Sequence, residues 1–143
     1  MKDIVINIFL LWGSIQDMKT KKISSYYIYS GWILSVVFIV ISIYNQTFNW
    51  TKWCYSLVPG IIFLIAAKVT KEQVGYGDGY VFLFLGNLYQ NIKVWTILEI
   101  SVILSAVFSI YLILIKKTGR KKKIPFLPFI WISQVVVWGI NYV

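Results

Sequence analysis

The sequence predicts an all-α membrane protein: a bundle of six transmembrane helices, some short or broken, with N- and C-termini on the outer side. Residues 1–143 are expected to form a single membrane-embedded domain. Three observations predict this. First, 59% of the 143 residues are hydrophobic and only 13% are charged, against about 45–50% and about 25% in a soluble domain. Such a chain, with a mean hydropathy of +0.74, has too few polar residues to cover a core in water. Second, the apolar residues gather into six runs separated by polar breaks. Third, the lysines and arginine cluster in alternate breaks, as the positive-inside rule requires.

The first run, Ile4–Ser14, lies between Asp3 and Asp17. It has no strong basic segment before it and no small-x-small cleavage pattern after it, so it reads as a helix of the mature chain and not as a secretory signal. The second run, Tyr26–Tyr44, meets the length of about 20 residues that a full crossing needs. The third, Trp53–Ala67, is shorter, and its Pro59-Gly60 pair either kinks the helix or lets a neighbour approach closely. The fourth, Gly79–Ile92, is uncharged and short. The fifth, Val94–Ile115, and the sixth, Ile124–Val143, are long enough to span. The short first, third and fourth runs must recruit flanking residues, end in a polar cavity or sit in thinned bilayer. No internal repeat or low-complexity segment interrupts the pattern.

Charge orients the bundle. With six crossings and an outer N-terminus, the inner breaks hold Lys19, Lys21 and Lys22, then Lys68 and Lys71, then Lys116, Lys117, Arg120, Lys121, Lys122 and Lys123. That is eleven basic residues, against Lys2, Lys52 and Lys93 outside. A re-entrant fourth run would move the Lys116–Lys123 cluster outside, so parity requires Gly79–Ile92 to cross. The net charge of +9 is then explained by orientation and by contact of Lys116–Lys123 with anionic membrane lipid, and no nucleic acid partner is called for. The seven tryptophans, mostly near run ends, read as interfacial belts.

Composition also limits the chemistry. There is no histidine and one cysteine, Cys54. An intrachain disulfide, a zinc site built from Cys and His, and a Cys–His nucleophilic pair are therefore excluded. Hydrolytic chemistry would have to use carboxylates, hydroxyls or lysine; no metal site and no cofactor are expected. Of the five acids, Asp3 is terminal, Glu72 sits in a basic inner break, and Glu99 lies toward the outer end of the fifth run with no assigned function. Asp17 and Asp78 remain. The topology puts the first at the inner end of helix one and the second at the inner start of helix four, at one depth on one side.

Two readings of this pair stand open on spacing alone. Each aspartate can be a solvated helix cap. Alternatively, two neighbouring carboxyls that cannot both ionise share one proton: one accepts a proton from the attacking water while the other donates to the peptide carbonyl. In that case the helix dipole favours negative charge at Asp78, an N-terminal position, over Asp17, a C-terminal one, with Lys19, Lys21 and Lys22 opposing the asymmetry. Asp78 lies in Gly75-Tyr76-Gly77-Asp78-Gly79. The glycines are expected to allow positive φ and the close approach of an extended peptide.

These residues resemble the prepilin peptidases, the type IV leader peptidases among the GxGD intramembrane aspartyl proteases. Three blocks in the family's order carry the resemblance: Asp17-Met18-Lys19-Thr20-Lys21-Lys22-Ile23-Ser24; Gly75–Asp78 with Gly86 eight residues after the aspartate; and Lys123-Ile124-Pro125-Phe126-Leu127-Pro128-Phe129. Ser24 stands where the family usually has proline, Tyr80 where it commonly has lysine, and Leu127 where it has glycine. The resemblance implies that Asp17 and Asp78 are the catalytic pair of an aspartic-type endopeptidase. It implies cutting at the cytoplasmic face of the cell membrane, in a multi-pass protein, with type IV pilin-like precursors as substrates. These carry a short basic leader, a glycine before the cut and a hydrophobic helix after it, and serve pilus assembly or protein secretion. It further implies substrate contact at Gly75, Gly77, Pro125 and Pro128. Pro125 and Pro128 would break the start of the last helix so that irregular backbone lines a cavity, or would simply be prolines of a helix first turn. Larger members also methylate the new N-terminus through an N-terminal domain with paired cysteines. The chain resembles the minimal peptidase core, so that activity is not expected. The rival readings are a non-catalytic multi-pass assembly or transport subunit, and a GxGD protease with a non-pilin substrate.

Overall fold

A computed structural model describes residues 2–21, 23–70, 75–114 and 124–140. Among these residues there are six helices and no strand: α1 Lys2–Thr20, α2 Ser25–Tyr44, α3 Trp50–Val69, α4 Tyr76–Tyr89, α5 Lys93–Leu114 and α6 Leu127–Ile140. Their order follows the six apolar runs. Lys22, Lys71, Glu72, Ile115, the basic run Lys116–Lys123 and residues 141–143 lie outside the described residues.

The helix ends depart from the runs where capping decides them. The eleven-residue first run becomes a helix of 19 residues because its polar flanks bond along the helix: Asn7 Nδ2 donates to the Asp3 carbonyl (2.9 Å) and Thr20 Oγ1 to the Gln16 carbonyl (2.9 Å). Helix α1 stops where Lys21 turns left-handed (φ 51°) and returns its N–H to the Asp17 carbonyl at 2.8 Å. The third run recruits residues at both ends to reach 20, with Asn49 Oδ1 capping the Lys52 amide. The fourth run ends early as a helix, because Gln90 turns left-handed (φ 50°) and bonds back to the Gly86 carbonyl.

Helices α2, α3 and α5 are long and apolar enough to cross a membrane. Helix α1 has the length but carries Lys2, Asp3, Asp17 and Lys19. Helices α4 and α6 have 14 residues each, about 21 Å at 1.5 Å per residue, against a hydrocarbon core of about 30 Å.

The chain divides into two compact units. One comprises Met1–Lys22 and Thr96–Val143. In it α1 packs on α6, Ile6 and Leu10 of α1 and Leu127 and Ile130 of α6 are fully buried, and Phe108 of α5 meets Phe129 of α6 at 5.4 Å between rings.

The other unit, Ile23–Trp95, is organised around α4, whose Val81, Phe82, Leu85 and Leu88 are buried and which packs against α2 and α3. Small residues bring α3 and α4 together. A Cβ on Gly60 would lie 2.6 Å from the Leu83 amide nitrogen, one on Gly79 would lie 2.7 Å from Leu64 Cδ2, and one on Gly86 would strike the Ser56 carbonyl. Ser56 Oγ donates across this seam to the Gly86 carbonyl (2.9 Å), and Trp53 Nε1 to Asn87 Oδ1 (2.9 Å). Close approach gives van der Waals contact and interhelical hydrogen bonds, the two attractions that hold helices together where lipid supplies no hydrophobic drive. Pro59 lies within α3 without ending it. Proline has no N–H for the carbonyl four residues back, and that carbonyl, on Tyr55, accepts instead from Trp95 Nε1 at 3.2 Å.

Candidate functional site

Asp17 sits in the last turn of α1, one turn inside the helix and not beyond its end, and is only 6% exposed. Its Oδ2 accepts a hydrogen bond from the backbone N–H of Leu127 (3.2 Å), 110 residues away in sequence. The Phe126 amide bonds the same carboxylate. The surrounding sequence explains the contact. The first amides of a helix have no intrahelical partner. Helix α6 begins at Leu127, with the Phe126 carbonyl accepting from Phe129 (3.0 Å) and Ile130 (3.3 Å). Pro128, second in the helix, has no amide to satisfy, and its ring suits the first turn. Pro125 precedes the helix. The Pro125–Pro128 block thus brings backbone amides to Asp17. Asp17, at the C-terminal end of α1, thus also faces the N-terminal end of α6, a second dipole that the expected asymmetry did not include.

Asp78 is the third residue of α4 and is partly exposed. Its amide donates to the carbonyl of Gly75 at 3.2 Å, closing the first turn. Gly75 precedes the helix in extended conformation (φ −71°, ψ 130°). The expectation of positive φ at these glycines is not met: no described glycine has it. Space, not backbone freedom, is what glycine supplies here. A Cβ at Gly75 would lie 3.1 Å from Asp78 Oδ2, so the missing side chain leaves that oxygen uncrowded. A Cβ at Gly77 would collide with the Ile23 side chain, and one at Gly79 with Leu64.

The residues anticipated from sequence therefore fall into two groups. Asp17 lies with the Pro125–Pro128 block in one unit, and Asp78 with Gly75 and Gly77 in the other. Sequence reading missed the Leu127 amide as the partner of Asp17, and it missed Ile23 and Leu64 as the partners of the glycines. The one available signal was that three glycines flank a single acid. Tyr80 lines a shallow crevice with Tyr27, Ile28, Val81 and Phe84. Among the described residues no group of three His, Cys, Asp or Glu side chains is gathered.

A family model described as the type IV leader peptidase family matches residues 4–114. The match includes Asp17, Gly75–Gly79 and Gly86, and it ends before Pro125–Pro128. No curated protein and no solved structure matches the chain.

Proposed function

Because the chain belongs to the type IV leader peptidase family, which implies a protease acting on type IV prepilin-like substrates, we propose that it is an aspartic-type endopeptidase with Asp17 and Asp78 as its catalytic pair. It removes the basic leader of a pilin-like precursor at the cytoplasmic face of the cell membrane. In this reading residues 1–143 form one functional membrane domain of six crossings with both termini outside. The eleven inner against three outer basic residues support that orientation. Helices α4 and α6, too short to span an undisturbed bilayer, border a polar cavity or thinned lipid.

The observation that carries the reading is the setting of the two acids within the family match. Asp17 is a buried carboxylate held by backbone amides at a helix start, and Asp78 opens a helix beside a glycine that leaves its carboxylate oxygen uncrowded. A buried acid is costly to retain and reads as functional.

The chemistry needs the two carboxyls to meet around one water and share one proton. The ionised partner accepts a proton from water as its oxygen forms a bond to the scissile carbonyl carbon. The protonated partner donates to the carbonyl oxygen, giving a neutral tetrahedral diol. In the second step one hydroxyl returns its proton, the C–N bond breaks, and the other acid's proton goes to the leaving amine. The leader then ends in a carboxylic acid, and the pilin helix in a new N-terminus. Glycine before the cut lets the leader enter extended beside Gly75, and contact of Pro125 and Pro128 with the substrate belongs to the same proposal.

Co-expression with a pilin precursor whose basic leader ends in glycine tests the proposal. Cleavage is expected in the wild type and lost in both Asp17→Ala and Asp78→Ala. Unchanged processing in either variant refutes the pair. Processing of unrelated membrane segments, with the pilin precursor left intact, would replace pilin as the substrate.

A further inference from the structure

Three glycines surround Asp78, and each faces something different. A Cβ on Gly75 would crowd the Asp78 carboxylate itself. A Cβ on Gly79 would lie 2.7 Å from Leu64 Cδ2 and 3.1 Å from the Leu64 amide nitrogen. A Cβ on Gly77 would lie 3.0 Å from both Cβ and Cγ1 of Ile23, and nearer still to its Cδ1. Rotating the Ile23 side chain relieves the last contact but not the one to Cβ, which is fixed to the backbone. The surface of α4 at Gly77, where a substrate backbone was expected to run, is thus already covered by a side chain of this chain.

Ile23 is held firmly enough to serve as a stop. It immediately precedes Ser24, whose Oγ caps α2 by accepting from the Tyr27 amide at 3.3 Å. Tyr27, one turn on, is 1% exposed, and α2 packs on α4. The residue ahead of an N-cap is commonly apolar and fixes the angle at which the chain enters the helix; here that residue rests on α4. Asp78 therefore sits in a turn gripped on one side by Ile23 at Gly77 and on the other by Leu64 at Gly79. Successive helical residues point about 100° apart, so Ile23 packs on the turn that bears Asp78 at a different angle from the Asp78 side chain itself.

We propose that Ile23 is a positioning residue for Asp78: it seats in the space left by Gly77 and fixes the first turn of α4, so the second glycine of the Gly75–Asp78 motif is required by Ile23 and not by the substrate. This rests on the reading of Asp78 as a catalytic acid.

A double-mutant cycle tests it, using the full chain. Gly77→Ala, Ile23→Ala and the pair Ile23→Ala/Gly77→Ala are assayed for precursor cleavage, with kcat and KM separated, and for thermal unfolding in detergent. Overpacking makes Gly77→Ala the damaging single change, with kcat reduced on the order of tenfold, KM little altered and the unfolding midpoint lowered. Ile23→Ala alone lowers kcat less. The pair recovers part of both losses, because alanine at position 23 removes Cγ1 and Cδ1 while its Cβ stays, and residues in contact are non-additive. A raised KM in Gly77→Ala that the pair does not relieve would assign the glycine to the substrate and overturn the proposal. Additive midpoints would overturn the contact, and non-additive midpoints without recovery of kcat would overturn the positioning role. Asp78→Asn is run alongside. If it cleaves normally, the catalytic reading fails and the positioning role fails with it. The unfolding cycle reads the Ile23–Gly77 contact whatever Asp78 does, so the two failures are told apart.

Discussion

Replacing Asp17 by asparagine and by alanine separates the catalytic role proposed for it from its hydrogen bond to α6. Its Oδ2 accepts the Leu127 amide at 3.2 Å in a buried setting. Asparagine has nearly the same shape and keeps an oxygen at that position, but it has no acidic proton to exchange. Alanine removes the acceptor and strands the amide. A buried donor left unsatisfied costs about 1–3 kcal/mol, whereas trading a charged acceptor for a neutral one costs about 1 kcal/mol. Asp17→Ala should therefore be less stable than Asp17→Asn by about 1–2 kcal/mol, or roughly five- to thirtyfold in the unfolding equilibrium. Loss of a general acid or base costs about 10²–10⁴ in rate, so both variants should lose cleavage by at least the lower figure. The seven tryptophans report denaturant unfolding in mild detergent by fluorescence, and a gel mobility shift reports removal of the leader. Cleavage within a few-fold of wild type in Asp17→Asn would make Asp17 a cap and nothing more. Equal stability of the two variants would refute the contribution assigned to the Leu127 bond.

Further outcomes follow from the same geometry. Gly86→Ala drives a methyl group into the Ser56 carbonyl, with the Ser56 carbonyl carbon 2.9 Å away, and should lower stability by about 1–3 kcal/mol. Gly139→Ala in α6 meets nothing within 4 Å and should be neutral or stabilising by up to about 1 kcal/mol; equal thermal shifts in the two would refute the small-residue seam. If the carboxyls share one proton, the pH profile of kcat/KM is bell-shaped, since one acid must be charged and the other neutral, and a single titration across the accessible range would refute the pairing. Cys54, the one thiol, is exposed near the start of α3. It should react with a membrane-impermeant maleimide from outside intact cells, and labelling only after permeabilisation would reverse the orientation.

Much of the helix order was legible because apolar runs of bilayer length leave the chain few alternatives. The ends were not, because they depend on single residues: Lys21 and Gln90 turn left-handed without glycine, and the polar flanks of the first run join its helix through local side-chain bonds. The acids were legible as candidates because only five exist. Their surroundings were not. The Leu127 amide and Asp17 are separated by 110 residues, and a backbone amide leaves no mark in the sequence. The glycines around Asp78 were visible, but glycine records only that something lies close, and here the neighbours proved to be Ile23, Leu64 and the carboxylate.

The partners of both acids show which contacts the departures from the family pattern leave unchanged. Asp17 is held by the main-chain N–H of Leu127, which every residue except proline can provide, so leucine in place of glycine between Pro125 and Pro128 keeps the bond. The turn bearing Asp78 is closed by the Gly75 carbonyl, again a main-chain group. Ser24 replaces a proline at the start of α2, where either residue favours helix initiation, the serine by capping the Tyr27 amide. Tyr80 lies two residues beyond Asp78 and contributes to the crevice against α2. Where the main chain supplies the contact, a change of side chain leaves it in place. Substitution has a steric consequence instead where absence of a side chain is the contact, at Gly60, Gly75, Gly77, Gly79 and Gly86.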